Sequence, residues 1–309
     1  MNNKNLFSNH QLKAAFSLIE LSIVVLIIGI LIAGVTQGSR LVAQSRLKVA
    51  RNQTQNSPAA SMPNLVTWLE TTNENSITSA NNGANPENND SVSAWNDINP
   101  QSAAKIVVSN ASNQPTYISN GINGLPSLRF SDSQYLMSSI AAGGNTPLRA
   151  GTLNFTYIAV WNKTNGLATI GDIFDQDGAT AVTGTRAGLI AGVSSNHYGF
   201  VGQNNDFSNS ATYTTNTNIA SILTVNSSGA IAIYDSISAT PITGSIAPTS
   251  NLSNALFVVA ARARDRQELY VGLISEIIIF DRALKTSEIN NIKYYLSQKY
   301  AIKMTDAAL

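Results

Sequence analysis

The strongest feature of the hydrophobic pattern is one unbroken apolar run near the start of the chain. It reads FSLIELSIVVLIIGILIAGV over residues 16–35, and Glu20 is its single ionisable side chain. A helix of this length rises about 30 Å, which matches the hydrocarbon core of a bilayer. The run therefore predicts a membrane-spanning helix that carries one carboxylate close to its beginning.

The helical pattern continues beyond the apolar run into SRLVAQSRLKVARNQ. Its aliphatic residues fall on a partial apolar stripe, and the cationic side chains take the remaining surface. Pro58 is the first proline of the chain and, together with Pro63, ends the helix. We expect one helix over residues 16–56 and a linker over residues 57–64.

From Leu65 onward, short apolar or alternating runs recur between clusters of Gly, Asn, Asp and Pro that are typical of turns. They include YIAVWN, ASILTVN, AIAIYD, ALFVVAAR and LYVGLISEIIIFD. This pattern predicts an all-β domain without an internal repeat. A length of about 250 residues is compatible with one large β-sandwich.

The last periodic stretch, LKTSEINNIKYYLSQKY, departs from the strand pattern. Its apolar residues fall on one helical face. They are Ile289, Ile292, Leu296 and Tyr300. Thr286 is the predicted N-cap, and Glu288 lies in the first turn, where the helix dipole favours an acidic side chain. We expect a single amphipathic helix to close the domain.

The residues in front of the apolar run have a distinctive order. Lys13 is followed by the small residue Ala15 and then by Phe16, and Glu20 is the fifth residue after that junction. A secretory signal peptide would place its small residues on the far side of the run. Over roughly residues 10–56, this order resembles the class III signal of type IV prepilins and pseudopilins.

The prepilin resemblance implies processing followed by assembly. A membrane enzyme, the prepilin peptidase, would cleave after Ala15 and methylate the new amino terminus at Phe16. In a filament the helices of several pilin subunits pack together, and the Glu20 carboxylate would pair with the terminal amine of a neighbour. The alternative is a plain anchor in the cytoplasmic membrane, with Glu20 near the lipid headgroups.

The β domain carries a second resemblance, through LVTWLE, VSAWNDIN, FTYIAVW and GTRAGLIAG in this order. Its most specific part is the C-terminal stretch LYVGLISEIIIFDRALKTSEINNIKYYLSQKY. Over roughly Leu65 to Lys303, the chain resembles the laminin G-like, concanavalin A-like jelly-roll domains of bacterial surface proteins. The resemblance implies a lectin-like or adhesive head, and function varies widely within this fold.

Together these patterns define the expected architecture. The fold is expected to be mainly β, with a long N-terminal transmembrane and assembly helix followed by a β-sandwich jelly roll that ends in a helix. The expected organisation is a cleaved leader over 1–15, the helix over 16–56, the linker over 57–64 and the head over 65–309.

Composition and charge exclude several classes of protein. The 309-residue chain contains no cysteine, which excludes disulfide bonds and thiolate chemistry. After Arg51 it contains 13 Lys and Arg against 17 Asp and Glu, a net charge of −4. A head without a basic patch cannot neutralise phosphates, and so no nucleic-acid partner is expected.

Paired carboxylates are the first candidates for catalysis, because glucanases of the same architecture place two of them on one strand face. Glu276 and Asp281 in SEIIIFD are five residues apart, which puts them on opposite faces of a strand. We expect Glu276 to be an exposed strand acid and Asp281 to lie in a turn or cap. After removal of the leader, His197 is the remaining histidine. The sequence therefore predicts that the protein is not an enzyme.

Two kinds of side chain are candidates for calcium or sugar contacts. GDIFDQDG is a predicted loop whose clustered carboxylates suit Ca²⁺, the one possible cofactor, although a plain acidic turn is the alternative. Its three acids are Asp172, Asp175 and Asp177. Three tryptophans could stack on sugars, but each lies in a strand-like run where burial is favoured. They are Trp68, Trp95 and Trp161.

A second polar loop, GQNNDFSN, is the candidate glycan contact. Asn204, Asn205 and Asp206 would offer amide and carboxylate groups to sugar hydroxyls if the loop folds near the acidic stretch. We expect these three side chains to be exposed to solvent. They complete the set of candidate ligand-binding residues.

The expected function is that of a type IV pilin-like subunit, which displays a lectin-like head for adhesion or for binding a glycan or surface protein. The alternative is a structural minor pilin or a type II secretion pseudopilin whose head binds no ligand. The precursor would lie in the bacterial cytoplasmic membrane. After assembly, the head would be periplasmic or extracellular on a pilus or pseudopilus.

Overall fold

The computed structural model describes most of the chain. The described residues are 17–73, 75–84, 86–101, 106–138, 147–149, 151–166, 169–178, 182–193, 196–248, 252 and 256–304. The predicted processing residues Lys13, Ala15 and Phe16, and the predicted leader, lie outside these ranges.

The described residues form two α-helices, two short 3-10 helices and seventeen strands. The α-helices are α1 (Leu18–Gln55) and α2 (Thr286–Tyr300), and the 3-10 helices span Pro58–Ser61 and Ile122–Gly124. The strands are β1 (Leu65–Glu70), β2 (Ile77–Ser79), β3 (Val92–Asn96), β4 (Ile106–Val108), β5 (Thr116–Ile118), β6 (Ser127–Phe130), β7 (Leu136–Ser138), β8 (Phe155–Lys163), β9 (Gly171–Asp177), β10 (Arg186–Val193), β11 (His197–Val201), β12 (Phe207–Thr212), β13 (Ile219–Val225), β14 (Ala230–Asp235), β15 (Ile242–Ser245), β16 (Leu256–Val259) and β17 (Gly272–Phe280).

The strands form two antiparallel sheets. Sheet A has the order β15-β14-β13-β8-β17-β6-β5, and β1 pairs with β17 beyond the end of β6. Sheet B has the order β12-β11-β10-β9-β16-β7-β4-β3-β2. The prediction of a mainly β fold, with a long helix in front and a C-terminal helix behind, is confirmed.

The main core lies between the inner faces of the two sheets. Its largest side chains include Trp95 and Trp161, both fully buried, and Trp161 makes edge contacts with Tyr198 and Tyr213. Trp68 is also buried, in a second hydrophobic cluster. The prediction that the three tryptophans are core residues is therefore confirmed, and their burial keeps them from stacking on a sugar.

The second cluster covers the outer face of sheet A. Ile289, Ile292 and Leu296 of α2 pack against apolar side chains of β8 and β17. Ala59 of the first 3-10 helix joins the same cluster. Since both faces of sheet A are covered, every residue of β8 is buried and the strand shows no alternation of burial.

The chain divides into two compact units, residues 1–45 and residues 46–309, and helix α1 contributes residues to each. Within the first unit, the large aliphatic side chains from Leu18 to Val35 are exposed. By length and composition, this part of the chain could cross a membrane. Within the second unit, Ala50 and Thr54 of the same helix are buried.

The start of α2 differs from the sequence prediction by one residue. Lys285 is the N-cap, and Thr286 is the first helical residue. The Glu288 carboxylate accepts the backbone N–H of Lys285 at 2.8 Å and two hydrogen bonds from Arg282 at 2.7 Å. The hydrogen bonds from Arg282 are the main reason that the pKa of Glu288 is lowered. The acidic side chain of Glu288 in the first turn thus fixes this end of the helix, as predicted.

Candidate functional site

The stretch that was predicted to be an acidic loop is strand β9. Asp175 and Asp177 are two residues apart and so share one face of the strand. The pairing of β9 with β10 shifts register between Leu189 and Ile190. This irregularity allows Asp172, at an odd spacing from Asp175, to reach the same partner, Arg186. A loop was predicted because carboxylates rarely line a buried strand. The prediction was wrong because Asp172 and Asp175 are paired with a cation, which allows their burial.

Arg186 of β10 is that partner. Its Nη2 lies 2.6 Å from Asp172 Oδ2 and 2.8 Å from Glu268 Oε2, and its Nε lies 3.1 Å from Asp175 Oδ1. The side chains of Asp172 and Asp175 are fully buried. Burial is the largest cause of the raised pKa of each of these two carboxyl groups, and Arg186 opposes it.

The loop between β16 and β17, residues 260–271, contacts this cluster. The backbone N–H of Ala263 donates to Asp175 Oδ2 at 2.8 Å. Arg262 of the loop pairs with Glu268 and with Asp265, and Arg262 Nη2 lies 2.6 Å from Asp265 Oδ2. The side-chain hydrogen bond from Arg262 lowers the pKa of Asp265 to about 2.

Asp177 differs from the other two acids of β9. Its side chain is fully buried, and among the described residues neither carboxylate oxygen has a hydrogen-bond partner. Its nearest cation is Arg264, whose Nε lies 3.6 Å from Oδ2. Burial, followed by repulsion from Asp175, raises the pKa of Asp177 to about 7. This carboxyl group therefore changes charge near neutral pH.

The predicted glycan-contact loop lies next to Asp177. Arg264 Nη1 donates to the side-chain oxygen of Gln203 at 3.3 Å, so Arg264 links the loop to the acid. Asn204 is exposed and has a positive φ of 58°. The structure thus brings the two predicted stretches together, a proximity that sequence alone does not give.

Only part of that loop is free to meet a ligand. Asn205 is buried, and its amide exchanges two hydrogen bonds with the backbone of Ala247, at 2.7 and 2.8 Å. The expectation that Asn205 is exposed was wrong, because its amide satisfies backbone groups of another loop. Asp206 is exposed but accepts the backbone N–H of Gly202 at 2.8 Å.

The predicted calcium ligands are engaged by arginine. Among the described residues, no group of three or more His, Asp or Glu side chains has the geometry to hold a metal ion. Asp172 and Asp175 instead surround the Arg186 guanidinium. Binding of Ca²⁺ to the acids of β9 stays a prediction of the sequence.

A second buried cluster, which the sequence did not indicate, joins α2 to sheet A. Lys299 Nζ lies 2.6 Å from Glu70 Oε1 and 3.0 Å from Glu276 Oε2, and all three side chains are fully buried. Glu276 also accepts hydrogen bonds from Trp68, Tyr295 and Tyr300. The prediction that Glu276 is an exposed strand acid was wrong, because α2 covers that face of β17. Asp281 lies in a bend, as expected.

The end of α1 contacts the surroundings of this cluster. Arg51 Nε donates to the backbone carbonyl of Thr72 at 2.8 Å, two residues beyond Glu70. Thr54 is buried, and its hydroxyl donates to the backbone carbonyl of Ala50 at 3.1 Å within the same helix. The last turns of the long helix are therefore part of the buried structure of the head.

An open cavity is lined by residues of both sheets and of the loops beside them. Its empty volume, including the open mouth, is about 320 Å³. The lining is mainly apolar and includes Leu153, Phe155, Phe200 and Leu252. Ala247, the partner of Asn205, also lines it. The cavity therefore lies close to the predicted glycan-contact loop.

Comparison with known proteins identifies the architecture. No family model matches the chain, and no curated protein matches it. Among solved structures, a GH54 α-L-arabinofuranosidase mutant soaked with 4-nitrophenyl α-L-arabinofuranoside is 11% identical, with a TM-score of 0.57, covering 81% of this chain and 65% of that chain. An arabinofuranosidase complexed with arabinofuranosyl-α-1,2-xylobiose is 12% identical, with a TM-score of 0.51, covering 70% of this chain and 52% of that chain.

At these identities the likeness shows the fold alone. The chain spans less than two thirds of the length of each of these two solved chains. The class defined by the fold is therefore a two-sheet antiparallel sandwich of the kind found in these arabinofuranosidases.

These neighbours contradict the prediction that the chain is not an enzyme. Both are glycoside hydrolases with the same sandwich architecture. The prediction rested on the absence of a carboxylate pair near Glu276, yet Glu70 lies directly opposite Glu276 on the neighbouring strand. The spacing of Glu276 and Asp281 therefore does not exclude hydrolase chemistry.

Proposed function

We propose that this chain is a type IV pilin-like subunit, which is held in the membrane and assembled through α1 and displays a glycan-binding β-sandwich. The observation that carries the proposal is the exposure of α1. Its aliphatic side chains from Leu18 to Val35 are exposed on all faces of the helix. An apolar helix of this kind needs lipid or other helices around it.

Glu20 supports assembly over simple anchoring. It lies in the first turn of α1, and its carboxylate accepts the backbone N–H of Ser17 at 2.9 Å. A carboxylate has capacity for several hydrogen bonds, so Glu20 keeps acceptor sites for the amine of a neighbouring subunit. Pairing with that amine offsets the cost of holding a charge at the edge of the membrane.

Glycan binding is supported by the fold and by the position of the polar loop. The arabinofuranosidase neighbours share the sandwich, and one of them is complexed with an arabinofuranosyl xylobiose. In this chain, the outer face of sheet A is covered by α2, whereas the loop with Asn204 and Asp206 is exposed. We place the glycan contact at that loop, beside Arg264 and Asp177.

The test of the pilin role is the mature amino terminus. Full-length protein is produced in a bacterium that contains a prepilin peptidase and in a strain without it, and the first residue is determined by mass spectrometry. We expect N-methylated Phe16 in the first strain and an uncleaved chain in the second. The same amino terminus in both strains would contradict the proposal.

The test of glycan binding is an array probed with the purified full-length chain. Asn204→Ala removes an exposed amide, and Tyr294→Ala, on the exposed side of α2, is the matched control. We expect binding to fall in the first variant and to persist in the second. A chain that is folded and processed but binds no glycan would favour a structural minor pilin or pseudopilin.

A further inference from the structure

The buried contact between Lys299 and two glutamates contains the groups that form an amide bond. We propose that Lys299 and Glu70 condense into an intramolecular isopeptide bond, with Glu276 as the group that moves the proton. The bond would connect the end of the first strand of the head to the last turn of its final helix. This modification is independent of the function proposed above.

The reacting groups are held in place by the backbone. Glu70 and Glu276 are paired residues of β1 and β17, and Lys299 reaches them from α2. The Lys299 Nζ contacts Glu70 at 2.6 Å and Glu276 at 3.0 Å. Holding an amine and a carboxyl group together in this way gives very high effective concentrations, which favours condensation.

The carboxyl group of Glu70 is surrounded by hydrogen-bond donors. The backbone N–H of Thr72 donates to Oε1 and that of Asn73 donates to Oε2, each at 2.8 Å. The Thr72 hydroxyl also donates to Oε1. Fixed backbone donors stabilise the negative charge that develops on a carboxyl oxygen when a nucleophile attacks its carbon. Glu70 is therefore the electrophile.

Glu276 is suited to the role of proton carrier. Its oxygens accept hydrogen bonds from Trp68 Nε1 at 2.7 Å, from Tyr295 at 2.7 Å and from Tyr300 at 2.9 Å. These donors keep its carboxylate in position beside the Lys299 amine. A base in contact with the nucleophile can accept its proton and return it to the leaving group.

The condensation balances: the products are one amide and one water. A proton first passes from the Lys299 ammonium to the Glu70 carboxylate. The neutral amine then attacks Cδ of Glu70 and forms the C–N bond. Glu276 accepts a proton from Nζ and passes it to the hydroxyl on Cδ. The C–O bond breaks, water leaves, and an amide remains between the two side chains.

The site also favours the product. An ammonium and a carboxylate without contact to solvent carry a large desolvation cost, and a neutral amide removes both charges. Exclusion of bulk water from a fully buried site opposes hydrolysis of the bond. The chain has no cysteine, and this bond would close a sequence separation of 229 residues, which restricts the unfolded state as a disulfide does.

The test is the mass of the folded full-length protein. We expect it to be lighter by one water than the mass of the processed sequence. Proteolysis should then release a branched peptide that joins the segment containing Glu70 to the segment containing Lys299. An unmodified mass, or a loss of water without this branched peptide, would overturn the proposal.

Variants assign the roles of the three residues. Glu276→Gln keeps one acceptor oxygen for Trp68 and Tyr295 but cannot carry the proton, so the folded variant should have the full mass. Lys299→Arg removes the nucleophile, whereas Lys303→Arg, at an exposed position, should keep the link. A folded Glu276→Gln chain that still contains the branched peptide would refute the role of Glu276. If the variants do not fold, the mass of the unsubstituted protein decides the proposal.

Discussion

Glu70 and Glu276 lie directly opposite each other on the antiparallel strands β1 and β17, and both are fully buried. Like charges in this position repel, and Lys299 from α2 lies within hydrogen-bond distance of both. The position of α2 on sheet A thus depends on electrostatics as well as on apolar packing.

Removal of one donor to Glu276 should destabilise the head. Tyr300→Phe deletes the hydroxyl that donates to Glu276 at 2.9 Å and leaves a buried carboxylate with one fewer partner. We expect a loss of about 1–3 kcal/mol in the free energy of unfolding, measured by chemical denaturation. Tyr294→Phe is the matched control, because Tyr294 is 68% exposed, and an equal loss there would contradict the assignment.

The end of α1 should contribute to the stability of the head. Ala50 is 1% exposed within the second hydrophobic cluster, whereas the adjacent Val49 is 51% exposed. Ala50→Leu should overpack the cluster and destabilise the head by about 1–3 kcal/mol. Val49→Leu should change stability by less than about 0.5 kcal/mol. Equal melting temperatures of the two variants would show that the end of α1 does not contribute to the stability of the head.

The stability of the head should fall as pH rises towards neutrality. The folded-state pKa of Asp177 is about 7 and its ordinary value is 3.8, so the folded state binds this proton more tightly. Stability from this group is present below pH 3.8 and is lost as the pH rises through about 7. Asp177→Asn should flatten this part of the profile and raise the melting temperature at pH 8.

Asp265→Asn is the control for that pH profile. The pKa of Asp265 is lowered to about 2 by Arg262, so its contribution is lost only as pH falls towards 2. The Asp265→Asn variant should keep the slope of the unsubstituted chain between pH 4 and 7. If Asp177→Asn has the same slope as well, the titration belongs to another group.

Loss of the Glu20 charge should affect assembly and not insertion. Glu20→Gln keeps an oxygen that can accept the Ser17 N–H, so the start of the helix is preserved. Membrane insertion should be retained or improved because a charge is removed. Incorporation into filaments, measured by immunoblotting of sheared filaments, should drop. Normal incorporation would refute pairing with the amine of a neighbouring subunit.

Local sequence patterns were sufficient to predict the helices and the strand-rich nature of this fold. Turn clusters between apolar runs identified the sandwich, and the period of α2 located it to within one residue at its start. The linker prolines also marked the place where α1 ends, at Gln55. These features depend on residues that are close in sequence, which is why they could be predicted.

The buried acids could not be predicted, because their partners are distant in sequence. Asp172 and Asp175 resemble a turn until Arg186 of the next strand is placed beside them. Glu276 resembles an exposed residue until α2 covers its face of β17 and supplies Lys299. The spacing of residues within β17 indicates neither that α2 covers this face nor that Lys299 lies beside Glu276.

The complete burial of β8 has a consequence for sequence divergence. Because α2 covers one side of sheet A and the main core covers the other, β8 has no position at which a polar substitution would remain in water. The sequences of relatives of this chain should therefore diverge slowly in β8 and β17 and rapidly in loops such as the one that contains Asn204.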